Sequence, residues 1–469
     1  VGAVGYDYDL VVIGSGPAGE KAAVQAAYFG KRVAVVEKEP EPGGAAVHTG
    51  TLPSKTLRET ALFLSGYRSA ELYGLSVSLD RSHAVPRLLS RKDAVRGQES
   101  KRIRWNLERH RVGYLEGRAR FVDAHTLELS GREGGQPRRV TTELTLVCTG
   151  SLPFKPDHVP FEDPDVDDSD TILELDRLPK DMVVVGGGVI GCEYASMFAA
   201  LGVQVTLVEP RHELLSFLDA EVSEALRRAL VKHGVDVRLD TKVREIKRGP
   251  GGIHTAIEGA GTIVTEKLLF AAGRSGATRG LGLEQIGVKL GKRDYVEVDG
   301  SYRTSVESVY AAGDVIGFPA LASTSMEQGR VAVCRMFGFP YKQQLSDLLP
   351  YGVYTIPEVS CVGLSEEDAV SRGIDVVAGK ALYEHNARAK IIGDHEGLVK
   401  LVFERDSRKL IGAHVIGDRA TELVHVGQAM ITLGGTVDTI VEMVFNYPTL
   451  SECYKYAAYD ALGSWSNQD

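Results

Sequence analysis

The feature that most limits what this chain can fold into is a unit of strand, glycine turn, helix and strand that occurs twice. Residues 8–13 (YDLVVI) form a short apolar run and GSGPAG follows it; Ala22, Ala23, Ala26 and Ala27 then recur at helical spacing until Gly30 ends the helix. A second apolar run, KRVAVVE, closes on Glu37. At 182–209 the order returns: MVVV, GGGVIG, a helix with Ile190, Tyr194, Met197, Phe198 and Leu201 expected to face inward, Gly202, and VQVTLVE ending on Glu209. From Gly14 to Glu37 and from Gly186 to Glu209 the step is the same 23 residues. This layout is the dinucleotide-binding fingerprint. Its first glycine permits a sharp turn, its second lets backbone amides approach a pyrophosphate, and its third lets helix and strand pack closely. The terminal acid accepts from a ribose hydroxyl, and the helix N-terminus supplies partial positive charge. A lone glycine pattern is a weak signal; two complete units with equal spacing are not.

At 469 residues, with 43% of them hydrophobic, the chain is expected to form two to four domains with well-filled cores. A formal net charge of −9 argues against a nucleic-acid partner or a basic membrane-surface patch. No apolar run approaches the roughly 18 to 20 residues of a membrane span, so a cytoplasmic protein is expected. The five cysteines (Cys148, Cys192, Cys334, Cys361, Cys453) lie far apart, with no close pair of the kind that binds zinc or forms a redox dithiol. No metal site is expected. Further strands stop at glycines in TLVCTG (145–150), LLFAAGR (268–274) and SVYAAGD (308–314), and a doubly wound sheet keeps its ligand contacts at such ends. From about 348 the pattern changes to strand-like GLVKLVFER and KLIGAHVIG with helical stretches near 419–433 and 449–462. That reads as a separate α+β domain for subunit contact.

Taken in order, these segments resemble the two-dinucleotide flavoprotein disulfide reductase family, the group of lipoamide dehydrogenase and glutathione reductase, over essentially the whole length. GSGPAG with Glu37 is similar to that family's FAD loop, GGAAVHTGTLPSK (43–55) to its flavin-facing helix and CTG (148–150) to its crossover. GGGVIGCE (186–193) is similar to its nicotinamide loop, AAGD (311–314) to its second FAD segment, and YTIPEVSCVG (354–363) and YPTLSE (447–452) to its interface domain. The resemblance implies an α/β fold of two Rossmann-type domains with a C-terminal α+β dimerisation domain. It divides the chain into 1–150 (FAD, first part), 151–272 (NAD(P)), 273–347 (FAD, second part) and 348–469 (interface). It implies FAD contacts from Gly14, Ser15, Gly16, Pro17, Ala18 and Gly19, from Glu37 and Lys38, and from Gly43, Gly44, Gly50, Thr51 and Lys55. Further along, Ala119 (with Gly117 nearby), Thr149, Gly150, Gly313, Asp314 and Ala322 join that set. For the nicotinamide nucleotide it implies Gly186, Gly188, Val189, Ile190, Glu193, Glu209, Arg211, Val243 and Gly273. Lys55 is then expected to pair with Glu193 beside flavin N5, and a homodimer is expected in which YPTLSE approaches the partner's flavin.

Two departures from the family pattern decide the expected chemistry. The family's flavin-facing helix carries two cysteines with four residues between them, and here those positions are Ala46 and Thr51. The histidine normally placed before the proline of the C-terminal motif is Tyr447, although Glu452 is kept. A thiolate needs sulfur, and its protonation near neutral pH needs a base that neutral tyrosine does not supply. Thr51 is therefore a flavin neighbour and not a nucleophile. Retaining both nucleotide sites without thiols is the pattern of the soluble pyridine nucleotide transhydrogenases within this family, and HTGTLPSK with FNYPT resembles theirs. His48 supports that subgroup, with a satisfied structural histidine as its physical role. The implied reaction is ping-pong hydride transfer from NADPH to NAD⁺ through FAD. The alternatives are a quinone or dye reductase of the same fold, or a degenerate lipoamide-dehydrogenase-like subunit. Glu209 favours a free 2′-hydroxyl, because like charges about 4 Å apart repel by about 1 to 4 kcal/mol. Arg211, whose planar fork suits phosphate, either offsets it or is a solvated surface arginine.

Overall fold

A computed structural model describes residues 5–66, 81–131 and 136–466; the remaining parts of the expected domains lie outside the described residues. The chain forms two compact units. One comprises the residues up to Thr56 with Leu89–Phe154 and Gly273–Ser346, and the other comprises Leu57–Leu88, Lys155–Ala272 and the residues from Asp347 on.

In the first unit the apolar runs become the centre of a seven-stranded sheet among the described residues. Tyr8–Ile13 pairs in parallel with Val33–Glu37 on one side and with Arg138–Val147 on the other. Gly113–Glu116 extends the sheet beyond Val33–Glu37, and Val309–Ala311 returns from far along the chain to lie parallel to Arg138–Val147. Arg118–Asp123 and Thr126–Ser130 continue it as an antiparallel meander. Both faces of the central strand are covered, so its residues are a continuous apolar run. Leu10 and Val12 pack with Ala22, Ala23 and Ala26 of the helix Pro17–Tyr28, while Val11 and Ile13 pack with Phe121, Leu127 and Val140.

The second unit repeats the arrangement. Asp181–Val185 lies between Gln204–Val208 and Lys267–Phe270 in a five-stranded parallel sheet, with Asp236–Arg238 and Val166–Asp167 at its edges. The helix Val189–Ala200 is buried along all of Gly191–Phe198. Ile190, expected to face inward, is only half-buried. It sits in the first turn, at the carboxyl edge of the sheet, before the helix crosses the strands. An antiparallel layer of Val243–Gly249, Gly252–Ile257 and Gly261–Thr265 covers this sheet.

The same unit contains the C-terminal α+β fold. Its five-stranded antiparallel sheet runs Tyr351–Val353, Val359–Gly363, Leu410–Ile416, Leu398–Glu404, Val376–Leu382 in spatial order. The helices Ala420–Thr432, Val437–Glu442 and Glu452–Ser466 bury Val424, Ile440, Tyr454 and Ala457 against it. Among the described residues no helix is long and apolar enough to cross a membrane.

Candidate functional site

The two glycine turns share their backbone geometry. Gly14 donates its N–H to Val36 O and Gly186 donates to Val208 O, both at 2.8 Å. Their φ angles are +103° and +113°, which L side chains rarely adopt. A Cβ on Gly19 would lie 1.9 Å from Gly14 O, and one on Gly191 would lie 1.8 Å from Gly186 O. Only glycine lets these helices start so close to their strands. Gly16 and Gly188 cap the helices with extended backbone and no side-chain hydrogen bond, and Pro17 occupies the first turn of the earlier one. The first-turn N–H groups of both helices thus lack a side-chain acceptor, as an anion-binding helix end requires.

The terminal acids fold back onto the turns. Glu37 Oε2 accepts from Ser15 N at 2.9 Å and from Ser15 Oγ at 2.5 Å. Glu209 Oε2 accepts from Gly187 N at 2.5 Å, the equivalent position. Lys38 turns to Glu39. Arg211 lays its guanidinium on Glu209, with Nε at 2.8 Å from Oε1 and Nη2 at 3.3 Å from Oε2. Burial works against the Glu209 charge, but the bonds from Arg211 and Gly187 outweigh it and hold the carboxyl below its ordinary range.

Around the first turn the chain assembles a cradle. Gly43 (φ +131°) donates to Ser15 Oγ at 3.1 Å, and a Cβ on Gly44 would meet Gly16 Cα at 2.8 Å. Thr149 Oγ1 is buried with no hydrogen-bond partner among the described residues, and beside it Gly150 (φ +74°) opens onto space where a side chain would meet nothing. The helix Ala322–Met336 packs against Pro17–Tyr28 so closely that a Cβ on Gly329 would lie 2.3 Å from Ala18 O. That packing brings up Gly313, whose N–H donates to Gln328 Oε1 at 2.9 Å, and Asp314, which accepts from Ser325 Oγ at 3.0 Å. Gly117 N donates to Glu37 O at 2.8 Å, which sets the segment 117–119 at the acid's strand end. Ala119 itself points its side chain into the core. An orphaned hydroxyl, an open glycine at positive φ and an uncapped helix end together fit an extended dinucleotide such as FAD.

Thr51 begins the helix Thr51–Ser65 directly after Gly50, and Lys55 lies one turn on, with Nζ 3.4 Å from Ser54 Oγ. His48 is hydrogen-bonded through Nε2 to Glu41 O and Pro42 O, each at 3.1 Å, which is the structural role expected of it. In the second unit Glu193 is buried and accepts from Tyr354 N at 2.9 Å, and Ser196 Oγ accepts from Ile356 N at 3.1 Å. Arg58 completes the anchoring of this segment, with Nε donating to Thr355 O at 3.1 Å and Nη1 3.2 Å from Glu358. Nothing in the sequence pattern singled out Arg58, Ser196 or the Tyr354 amide. Val243 follows Thr241, whose N–H reaches Glu209 O at 3.0 Å, so it lies near that acid. Gly273 belongs to the first unit, where its carbonyl accepts from Phe154 N at 3.0 Å and the Arg293 side chain crowds its Cα. Lys55 and Glu193 belong to different units.

Fold and cradles together define a flavin- and pyridine-nucleotide-dependent oxidoreductase. The chain belongs to the pyridine nucleotide-disulphide oxidoreductase family: the family model matches residues 8–329, and the model of that family's dimerisation domain matches 349–458. Among proteins it is similar to are the soluble pyridine nucleotide transhydrogenase of Mycobacterium bovis, 45% identical over 97% of each chain, and that of Marinomonas, 40% identical over 97% of this chain and 98% of the relative. Among solved structures it is similar to the HOCl-induced flavoprotein disulfide reductase RclA of Escherichia coli, with a TM-score of 0.86 at 26% identity over 96% of this chain and 99% of the other. LpdA of Mycobacterium tuberculosis gives the same TM-score and coverage at 28% identity.

Proposed function

We propose that this chain is a transhydrogenase that moves hydride from NADPH to NAD⁺ without a redox disulfide, the two nucleotides taking turns at one site. The observation that carries this is sulfur missing where the family keeps it. Ala46 and Thr51 stand at the dithiol positions, and all five cysteines are free and buried elsewhere. Burial pushes the Cys361 and Cys453 thiols up to about 12 and drives those of Cys148 and Cys192 higher still, so none is poised as a thiolate near neutral pH. FAD, when bound, supplies the two-electron hydride chemistry.

The chain's own residues hold and orient. Gly14, Ser15, Gly16, Pro17, Ala18 and Gly19 offer backbone to the FAD pyrophosphate, and Glu37 offers a carboxylate to the ribose, with Lys38 near it. Gly43, Gly44, Gly50, Thr149 and Gly150 form the walls, while Asp314, with Gly313 and Ala322, meets the ribityl end; Ala119 contributes backbone alone. Gly186, Gly188, Val189 and Ile190 do the same for the nicotinamide nucleotide, with Glu209, Arg211 and Val243 at its ribose and Gly273 at its far side. Lys55 is assigned to the flavin's reactive edge, with Thr51 as an inert neighbour, and Glu193 to the nicotinamide nucleotide. We assign 1–150 with 273–347 to the FAD domain, 151–272 to the nicotinamide domain and 348–469 to a homodimer contact. The exposed Leu433, Val444 and Tyr447 of this last part support an oligomer, since bare apolar side chains of this size favour burial. Five unpaired thiols support a reducing, cytoplasmic setting.

Thiol alkylation tests the reading. NADPH-treated enzyme exposed to iodoacetamide is expected to keep its full NADPH-to-NAD⁺ rate and to show no turnover on lipoamide, with NAD⁺ a better acceptor than quinones. Alkylation-sensitive reduction of a disulfide would contradict it.

A further inference from the structure

Within the second unit, the segment that follows the strand Tyr351–Val353 buries Thr355, Ile356 and Glu358, and buried backbone groups need partners. Here the partners are side chains. The N–H groups of Tyr354 and Ile356 donate to Glu193 Oε1 at 2.9 Å and to Ser196 Oγ at 3.1 Å, two acceptors one turn apart on the helix Val189–Ala200. The carbonyl between them, on Thr355, accepts from Arg58 Nε at 3.1 Å. The segment is thus held on alternate residues, by that helix and by the guanidinium. Arg58 Nη1 lies 3.2 Å from Glu358 Oε1 and is shared with the exposed Glu59 at 2.6 Å, and Glu358 Oε2 accepts from Thr421 Oγ1 at 3.0 Å. Arg58, Glu193 and Glu358 are all buried. A neutral donor would satisfy one carbonyl, and a buried ion pair seldom adds stability over apolar side chains of similar volume. What the guanidinium adds is geometry, because a rigid planar fork fixes both of its partners at once.

Resting on the assignment of Glu193 to the nicotinamide nucleotide, we infer that Arg58 is a positioning residue for that nucleotide: by holding Thr355 and Glu358 it keeps the Tyr354 amide on Glu193, and so sets the orientation in which the Glu193 carboxylate meets the ligand. A glutamate side chain rotates about several bonds, and a charge-assisted bond from a pinned amide removes much of that freedom. Losing the guanidinium opens the Thr355 carbonyl and leaves Glu358 as a buried charge without its counter-charge. The segment then shifts toward other donors and carries the Tyr354 amide with it. Ser196 still tethers Ile356 to the helix, two residues beyond the amide that orients Glu193. The effect of Arg58 on the nucleotide passes through Glu193, and two residues linked in this way are non-additive.

The test follows NADPH-driven bleaching of the flavin by anaerobic rapid mixing over a range of NADPH concentrations, which separates nucleotide affinity from limiting rate in flavin-loaded enzyme. Arg58→Met removes the fork and keeps an apolar stem. It is expected to weaken NADPH by about fivefold with the flavin's absorbance unchanged, and by less than about 1.5-fold in a Glu193→Ala background. Should Arg58→Met fold poorly, Arg58→Lys keeps a charge for Glu358 and gives up the bond to Thr355, with the same pattern expected. Equal losses in the two backgrounds, or loss of the flavin from both Arg58 variants, would overturn the inference, because either result places Arg58 in folding alone. Unchanged NADPH affinity in Glu193→Ala would remove the assignment of Glu193 and the inference with it. Wild-type enzyme whose flavin NADPH bleaches and NAD⁺ fails to restore would remove the transhydrogenase reading instead, and the same cycle would still decide the role of Arg58.

Discussion

Gly19 and Gly191 occupy corresponding places in the two turns, and a methyl group on either would sit under 2 Å from a carbonyl oxygen of its own loop. The backbone has to shift, and overpacking of this kind costs about 1 to 3 kcal/mol. Gly19→Ala is expected to lower thermal stability and to yield protein that loses its flavin on gel filtration. Gly191→Ala is expected to keep the flavin, read from its visible absorbance, and to lose nicotinamide nucleotide binding. At this scale the sequence was most informative where geometry admits one residue type. Gly14, Gly19 and their counterparts were legible because no other side chain fits, Gly16 and Gly188, which leave room for a Cβ, only through the spacing of the motif, and Glu37 and Glu209 because strand length fixes where the acid falls. The Arg211 guanidinium was not. A residue two positions beyond an acid can turn to it or to solvent, and only the folded loop, where Arg211 Nη1 donates to Ser216 Oγ, decides. Arg58 and Ser196 were hidden for a similar reason: their partners lie 297 and 160 residues away.

The elements of the second unit are joined through a buried charge cluster. The helix Ala220–Lys232 begins at Asp219, whose carboxylate caps it by accepting from Glu221 N at 3.1 Å. Lys400, on the strand Leu398–Glu404, lies 3.1 Å from Asp219 Oδ1 and 2.8 Å from Glu366 Oε2, and both Lys400 and Asp219 are buried. Removing one partner of a buried pair strands the other, so Lys400→Met is expected to destabilise this unit by about 3 to 5 kcal/mol, measured by denaturant unfolding. His414, on the adjacent strand, is buried with Nε2 3.0 Å from Leu364 O. Burial pushes its pKa below 6.5, with nearby Asp219 opposing the shift and Lys400 adding to it. A base held neutral in the folded chain but protonated in the unfolded one contributes stability that is complete above pH 6.5 and is lost as the pH falls below that value. Burial also opposes the Asp219 charge, but Lys400 outweighs it and holds the carboxyl below 3.8, so its contribution fades only in stronger acid. The melting temperature is therefore expected to drop between about pH 7 and about pH 5.5, with a shallower drop in His414→Gln. An unchanged slope in the variant would contradict the assignment to His414. None of these bonds was legible beforehand: apolar patterning located the strands of GLVKLVFER and KLIGAHVIG, but it carries no sign of which charges they bury.

Across the whole molecule, the family's two nucleotide folds are kept, and Ala46 and Thr51 stand where the resemblance places the cysteines of its third redox station. Tyr447 stands where the dithiol members carry a histidine and is 74% exposed in the single chain. If it only fills space in a homodimer, Tyr447→Phe is expected to leave the NADPH-to-NAD⁺ rate within about twofold, whereas a proton-transfer role would cost about a hundredfold. Fold class and the order of segments were readable from the chain because repeated units impose repeated patterns. The return of Val309–Ala311 to the first sheet depends on pairing across more than 150 residues, and only the ordered resemblance pointed to it. On the proposed reading, two nucleotides and one flavin make up the entire electron path. Anaerobic rapid mixing addresses it most directly, with NADPH added first and NAD⁺ second while the flavin's visible band is followed. The band is expected to bleach with NADPH and to return with NAD⁺ at a rate equal to or faster than turnover; a flavin that NADPH bleaches and NAD⁺ fails to restore at that rate would contradict the account.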